Sequence, residues 1–304
     1  MVDASWWGRW DAEMQAETVS AEAIAHMRAK PRFHDAMQNA LRGISGHNAD
    51  HPAFRRLVAD LGILVLGVIA LYLDATGGLT HRRLRDLAGS GGMLSAGRAS
   101  ALLMRMQMIG WVAAVRDHPR GAAKLYRPTP QMIAAFQTRY RLELESIQMM
   151  APDAAELLAR YDQPEGFRAF MAEYGGAMLR GLARPRPPVN ALMAIGNRRG
   201  GALVLAALGD AASEAAGYFP APGPVKVSVA AFARRFGVSR THVVSILREA
   251  AAAGFYRPGG VTEGEGEVLP TLAEAASHLY AEGFISVAGC AYRALGDRAA
   301  VAAA

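Results

Sequence analysis

The hydrophobic and polar residues of the chain follow helical spacing in two stretches that match each other in order. Each stretch has an apolar run, two short amphipathic segments, a glycine-aromatic pair, a short apolar segment and a further helical pattern. Ser95 and Gly110 of the first stretch correspond to Ser239 and Gly254 of the second at a single offset of 144 residues. This constant offset predicts an internal duplication.

The match extends on both sides of these segments. Pro128 corresponds to Pro270 at an offset of 142, each followed by Thr, and the apolar runs Leu61–Leu73 and Ala202–Leu208 come before the amphipathic segments. Because Leu61–Leu73 is far shorter than the roughly 20 residues of a membrane span, it predicts a buried core helix.

Breaks in the periodicity predict five segments. Asp11–Arg28 predicts a helix, which a polar segment interrupted by Pro and Gly follows, and the prolines of Ala183–Asn190 predict a hinge because they cannot continue a helix. After Ala291 the pattern predicts a frayed tail. The segments are an N-terminal helical segment (1–58), a first repeat (59–130), connecting helices with the Pro-rich hinge (131–190), a second repeat (191–270), and a C-terminal helix and tail (271–304).

The sequence Phe232–Arg257 predicts two short helices that meet at a tight corner. Ser228 is placed to cap the first helix, Gly237 gives the turn its backbone freedom, and Ser239 is placed to cap the second helix with its hydroxyl. The buried face of the second helix is predicted to consist of Val243, Ile246, Leu247 and Ala250.

The opposite face of the second helix carries hydrogen-bonding and charged side chains. These outward residues are Arg240, Thr241, Val244, Ser245 and Arg248. A helix is narrow enough for the major groove of DNA, where such groups bind base edges and phosphates.

The run Phe-Ala…Phe-Gly-Val-Ser-Arg-Thr-x-Val…Leu…Gly-Phe, from Phe232 to Phe255, resembles the winged helix-turn-helix of bacterial transcriptional regulators. The first repeat, LRDLAGSGGMLSAGRASALLMRMQMIGWV followed by RDHPRGAAKLYRPTP, is similar to the multiple-antibiotic-resistance-regulator (MarR-like) form of this unit. The resemblance covers roughly half of the chain. It implies a mainly α fold with small β-wings, in which tandem winged helix-turn-helix domains in a pseudo-two-fold arrangement are joined by connecting helices. Members of the family usually dimerise to present two modules, so the chain is expected to be a single-chain pseudo-dimer.

The resemblance also indicates which residues contact DNA. In the second repeat they are Ser239, Arg240, Thr241, His242, Val244, Ser245 and Arg248, and in the first repeat Ser95, Ala96, Gly97, Arg98, Ser100, Arg116, Arg120 and Lys124. His242 and Arg98 lie near the helix flank, where a phosphate contact and a base contact are equally expected. The small residues of the first repeat permit close approach and contact with thymine methyl groups but offer fewer hydrogen bonds.

The two predicted wings differ in charge. Wing one (residues 115–127) contains Arg116, Arg120, Lys124 and Arg127 against Asp117, whereas wing two (residues 257–269) contains Glu263, Glu265 and Glu267 against Arg257. A basic hairpin suits a minor groove and its phosphates, whereas carboxylates are repelled by them. Wing two is therefore expected to point away from DNA or to contact protein.

Composition adds a weaker argument for an anionic partner. The net charge is +6 and the pI about 9.7, which favours nucleic acid, although an Arg-rich sequence equally reflects a GC-rich genome. Cys290 is the only cysteine, which excludes an internal disulfide or a Cys-based metal site and fits a reducing compartment. The N-terminus lacks the pattern of a signal peptide, so the predicted location is the cytoplasm, associated with the nucleoid.

No catalytic motif stands out. The chain contains no G-x-x-x-x-G-K-[ST] and no H-E-x-x-H, and Pro52 and the nearby glycines disfavour helical metal ligation by His47 and His51. The Met-rich sequence from Met104 to Met108 has helical spacing and predicts core packing. The prediction is a protein that is not an enzyme and has no cofactor or metal.

Together these patterns predict a bacterial, sequence-specific transcriptional regulator that binds double-stranded DNA. Two alternatives stay open at this level: a plasmid-type replication initiator with two winged helices, and a tandem winged-helix scaffold that binds protein. A small-molecule effector or a protein partner, and a monomer or a homodimer, are equally compatible with the sequence, whereas no membrane partner is expected.

Overall fold

A computed structural model describes residues 9–10, 13, 19–50, 61–90, 95–115, 123–151, 154–182, 189–259 and 264–296. This part of the chain is mainly helical and has two antiparallel sheets of three strands each, which confirms the predicted mainly α class with small β elements. None of the helices described is long and apolar enough to cross a membrane.

The elements are named here in chain order. They are α1 (Ala21–Arg28), α2 (Phe33–Asp50), α3 (Leu61–Ala75), β1 (Leu79–Thr80), α4 (His81–Ser90), α5 (Ala96–Met108), β2 (Val112–Ala114), β3 (Leu125–Pro128), α6 (Pro130–Gln148), α7 (Ala155–Tyr161), α8 (Pro164–Leu182), α9 (Asn190–Gly196), α10 (Gly201–Ala216), β4 (Gly223–Lys226), α11 (Val229–Phe236), α12 (Arg240–Ala252), β5 (Tyr256–Pro258), β6 (Glu265–Val268) and α13 (Pro270–Leu295).

The chain divides into two compact units, each discontinuous in sequence. The first unit consists of Met1–Ile24, Gly62–Arg184 and Gly283–Ala304, and the second of Ala25–Leu61 and Pro185–Glu282. The elements of the first repeat lie in the first unit and those of the second repeat lie in the second unit.

The same order of elements occurs in both repeats. Helix, strand, helix, helix, strand, strand is the order from α3 to β3 and again from α10 to β6. In both sheets the last strand lies in the middle, with orders β1-β3-β2 and β4-β6-β5, and all pairs are antiparallel. The sequence repeat therefore coincides with a repeat of topology.

The turn that follows α5 in the first repeat has the same hydrogen bonds as the turn that follows α12 in the second repeat. Gly110 and Gly254 have positive φ angles of 74° and 71°, a conformation that glycine adopts without steric cost. The next residue, Trp111 or Phe255, donates its backbone N–H to the carbonyl five residues earlier, at 2.8 Å in both cases. This bond ends the helix and directs the chain into β2 or β5.

The strand register corrects the sequence alignment after this turn. The residue paired with the start of β2 is Pro128, whereas the residue paired with the start of β5 is Val268. Pro128 therefore corresponds to Val268 and not to Pro270, and it is Pro130 that matches Pro270, because each begins a helix. The offset changes because the connection between the paired strands is shorter in the second repeat.

In both repeats a threonine joins the helix that follows the sheet, α6 or α13, to the turn at Gly110 or Gly254. The hydroxyl of Thr129 donates to the carbonyl of Gly110 at 2.8 Å, and the hydroxyl of Thr271 donates to the carbonyl of Gly254. Thr129 lies just before α6, whereas Thr271 lies inside the first turn of α13. The same bond is thus made from two different register positions.

Several elements differ from the prediction. The sequence does not predict β1 or β4, and Gly223–Lys226 pairs as an edge strand although its Gly-Pro sequence predicts a break. Pro224 is tolerated because an edge strand can leave a missing donor unpaired. Helix α2 occupies the segment for which no regular structure is predicted, and α13 continues beyond Ala291 to Leu295. The predicted hinge lies mostly outside the described residues, as do most residues of the Asp11–Arg28 helix before α1.

The predicted core helix, α3, is buried along most of its length. Phe136 of α6 packs its ring onto Gly67 of α3, and Trp111 meets the same ring edge-on at a centroid distance of 5.8 Å. Gly67, Phe136 and Trp111 therefore join α3, α6 and the glycine turn within the first unit.

The connecting helices of the first unit enclose an aromatic cluster. Tyr140 of α6 and Tyr174 of α8 have ring centroids 4.7 Å apart, with Phe170 5.4 Å from each. Burial raises the pKa of Tyr140 and of Tyr174, so both phenols stay protonated across the physiological pH range. The cluster packs α6 against α8.

Gly67→Ala is expected to lower the free energy of unfolding by about 1–3 kcal/mol, because filling an occupied site forces the core apart. A Cβ at this position would lie 2.9 Å from Cε2 of Phe136 and closer still to Cζ. Gly283→Ala in α13 is the control, since among the described residues no atom beyond the adjoining backbone of α13 lies within 4 Å of its added Cβ. This variant is expected to raise stability by up to about 1 kcal/mol. Denaturant unfolding measures both, and equal stabilisation by the two variants would contradict the packing described.

Candidate nucleic-acid interface

The corner between α11 and α12 has the predicted caps. Ser228 accepts from the N–H of Ala231 at 3.2 Å, and Ser239 accepts from the N–H of His242 at 3.1 Å. Gly237 ends α11 in the left-handed region, with φ 65°. These three predictions are confirmed, and the caps fix where α12 begins.

The inward face of α12 anchors the helix in the second unit. Val243, Ile246 and Ala250 are buried, as predicted, and Leu247 is half-buried against the same core. Because this face is fixed, the opposite face presents a fixed set of side chains to solvent.

The outward face of α12 is only partly as predicted. Arg240, Thr241 and Arg248 are exposed, whereas Val244 and Ser245 are half-buried. The Nε2 of His242 lies 2.7 Å from the carbonyl oxygen of Arg199, so this nitrogen donates within the protein. That bond disfavours the DNA contact predicted for His242.

The connection between α9 and α10 adds two arginines that the sequence reasoning missed. Arg198 donates from Nη1 to Ser245 Oγ at 3.2 Å and forms an ion pair with Glu249. Arg199 is exposed, and its Nη2 donates to the carbonyl oxygen of Gly237 at 3.4 Å. The only sequence signal is the Arg-Arg-Gly-Gly run at the start of α10, which carries no helical periodicity.

Exposed arginines surround the corner. Arg234 and Arg235, in the last turn of α11, join Arg199, Arg240 and Arg248 in this part of the second unit. The nearby carboxylate of Glu249 is paired with Arg198. The corner is therefore a concentrated region of positive charge.

In the first repeat a serine caps the start of α5, as Ser239 caps the start of α12. Ser95 accepts from the N–H of Arg98 at 3.2 Å, and Ala96 and Gly97 are exposed. The hydroxyl of Ser100 lies 3.0 Å from the carbonyl of Ala96 and 2.9 Å from Nε2 of His81. Since Ser100 is bonded within the unit, it is less free to bind DNA than predicted.

The Met-rich part of α5 is not all core. Met106 is buried, but Met104 and Met108 are 61% and 79% exposed, and Ile109 is 37% exposed. The prediction of core packing is therefore wrong for Met104 and Met108.

Both predicted wings are described only in part. Arg116, Arg120 and Glu263 lie outside the described residues. Lys124 is exposed, with its Nζ 5.5 Å from the ring centroid of Tyr126. In wing two, Arg257 forms an ion pair with Glu267 at 2.6 Å, while Glu265 is exposed.

Within the described ranges, no group of three or more His, Cys, Asp or Glu side chains is placed to hold a metal ion.

Comparison of the chain with protein-family models, with curated proteins and with solved structures gave no match, so its function has to be inferred from its own residues.

A double-mutant cycle on Arg198→Ala and Glu249→Ala is expected to give a coupling energy of about 0.5–1 kcal/mol that falls with added salt. The reason is that Arg198 also donates to Ser245 and that its side chain is only 28% exposed. The Arg257–Glu267 pair is the control, because its side chains are 67% and 43% exposed, and a smaller coupling is expected. If thermal unfolding gives Arg198–Glu249 no more coupling than this wing pair, the Arg198 contact is not structural.

Proposed function

We propose that the chain is a sequence-specific transcriptional regulator that binds double-stranded DNA through two winged helix-turn-helix modules acting as a single-chain pseudo-dimer. The observation that carries the proposal is the exposed polar face of α12, held by a buried apolar face and surrounded by arginines. The order of helices and strands in each repeat, with the last strand in the middle of the sheet, supports it.

In this proposal α12 enters the major groove. Arg240 and Thr241 lie in its first turn, where a recognition helix contacts base edges, and Arg248 lies two turns further along the same side. An arginine can bind O6 and N7 of guanine with two hydrogen bonds. Arg240 is therefore the proposed base-reading residue, and Arg248 binds a base or a neighbouring phosphate.

The other arginines around the corner bind the backbone of DNA. Arg199, Arg234 and Arg235 are exposed around the corner and are placed for phosphates on either side of the groove. Arg198 is held by Ser245 and Glu249, so it enters the interface already oriented. A pre-oriented guanidinium loses less side-chain freedom on binding.

The first repeat contributes mainly through charge. Ser95, Ala96, Gly97 and Arg98 at the start of α5 allow close approach, and Lys124 and Arg127 of wing one are exposed cations. Wing two carries Glu265 and Glu267, of which Glu267 is paired with Arg257. The basic wing is therefore proposed to bind the duplex and the acidic wing to face away from it.

Arg240→Ala is expected to weaken binding to a selected duplex by about 1–3 kcal/mol, because one guanine contact is lost, and to weaken binding to random DNA much less. The preferred duplex is obtained by selection from a random library, and affinities are measured by fluorescence anisotropy at several salt concentrations. Arg257→Ala is the matched control, since it removes an exposed arginine of the same unit that is paired with Glu267.

Equal losses on selected and random DNA would make Arg240 a phosphate contact. If the unmodified protein binds no duplex even at low salt, the DNA-binding proposal is wrong and the protein-scaffold alternative is favoured.

A further inference from the structure

The exposed side of α5 is an apolar stripe. Gly97, Ala101, Met104 and Met108 recur at spacings of four, three and four residues, which places them on one side of the helix, and all four are exposed. Ile109 follows Met108 and is also exposed. The second half of α5, with Met104, Met108 and Ile109, is called the Met patch below.

The other repeat shows that the fold does not require this patch. At the offset of 144 residues the same positions of α12 and its end hold Thr241, Ser245, Arg248, Ala252 and Ala253. Both helices have the same N-cap and the same glycine turn, so their geometry is matched. Large exposed apolar side chains therefore occur on this helix in the first repeat and not on its counterpart in the second. Grouped side chains of this kind commonly mark an interaction surface.

The charges around the Met patch are positive. Arg98 and Arg105 follow one flank of the stripe, and neither α5, β2 nor β3 contains an acidic residue. Asp86 of α4 lies 3.7 Å from Arg82 and 3.5 Å from Arg85, so it is already paired. An occupant that complements this surface brings apolar side chains together with carboxylates.

DNA is a poor occupant for the Met patch. A duplex offers thymine methyl groups as its apolar feature in the major groove, and recognition helices contact bases with their N-terminal residues. Met108 is the last residue of α5, about three turns from Ala96. The start of α5 can therefore meet DNA while the Met patch binds something else.

A second copy of the chain is also a poor occupant. An antiparallel two-fold pairing through this face would place Arg105 of both copies on the same flank, and like charges disfavour such a contact. Three large side chains also form a smaller surface than the roughly 800 Å² that each partner buries in a standard protein interface. A short segment of another protein fits the size better.

We propose that the Met patch of α5 binds an acidic amphipathic helix of a partner protein, with the methionines against its apolar face and Arg105 beside its carboxylates. Methionine side chains are flexible and adapt to helical ligands. The proposal is independent of the DNA-binding function, because it uses only the surface of the first repeat that the proposed DNA contacts leave unused.

The test uses two synthetic helical peptides with identical leucine positions, one with glutamates and one with lysines on its flanks. The glutamate peptide is expected to bind the full chain with micromolar affinity by isothermal titration calorimetry, and more weakly as salt rises. Met104→Gln together with Met108→Gln is expected to reduce this affinity at least tenfold. The change is neutral in charge and both positions are exposed, so folding is expected to be retained and is checked by thermal unfolding.

Met149→Gln is the matched control, because Met149 is half-buried in the same unit and lies at the end of α6, away from α5 in sequence; its peptide affinity is expected to equal that of the unmodified chain. Equal binding of both peptides, or unchanged binding by the folded double variant, would overturn the proposal. Concentration-dependent dimerisation that the double variant abolishes would assign the patch to a second copy. Loss of DNA affinity in the double variant would assign the Met patch to DNA. Neither outcome of the peptide experiment changes the interpretation of the Arg240→Ala experiment.

Discussion

The hydrogen bond that closes the second short helix of each repeat fixes the geometry on which the candidate sites depend. Because Gly110 and Gly254 adopt positive φ, the following aromatic residue can donate to a carbonyl inside the helix and then lead directly into a strand. The aromatic side chains of Trp111 and Phe255 are buried, so the same turn ties the helix end to the core. Serine caps fix the other end of each helix. With both ends and one face fixed, each repeat presents the remaining face of one helix to solvent.

The two repeats use this common frame to present different chemistry. In α12 the exposed side chains include Arg240, Thr241 and Arg248, and the half-buried Ser245 is held by Arg198, which is itself paired with Glu249. In α5 the corresponding positions are small or apolar, and methionines occupy the second half. Buried positions such as Met106 and Ala250 continue to serve the core in both. The repeated order of elements thus keeps the constraint of folding while the outward face changes, and the inference of two different partners follows from that face.

Sequence reasoning succeeded where local rules are strong. Gly237, Ser228 and Ser239 have conformations and bonds that short-range chemistry determines, and α3 is buried because its sequence is almost wholly apolar. It failed where pairing over long range decides. The edge strand β4 forms on a Gly-Pro sequence because β6 supplies the partner. The proline match shifts because the connection between β5 and β6 is shorter than the connection between β2 and β3. Arg198 and Arg199 were missed since only folding brings their connection to α12, and Met104 is exposed although its spacing suits a core.

The central claim is that two helices in the same structural frame meet different partners, and site-directed photo-crosslinking tests it most directly. Cys290 is buried, so a thiol-reactive crosslinker attaches selectively to a cysteine introduced by Thr241→Cys in α12 or by Met108→Cys in α5. The account predicts efficient crosslinking of a bound duplex from position 241 and little from position 108. Crosslinking of equal efficiency from both positions, or from position 108 alone, would contradict it.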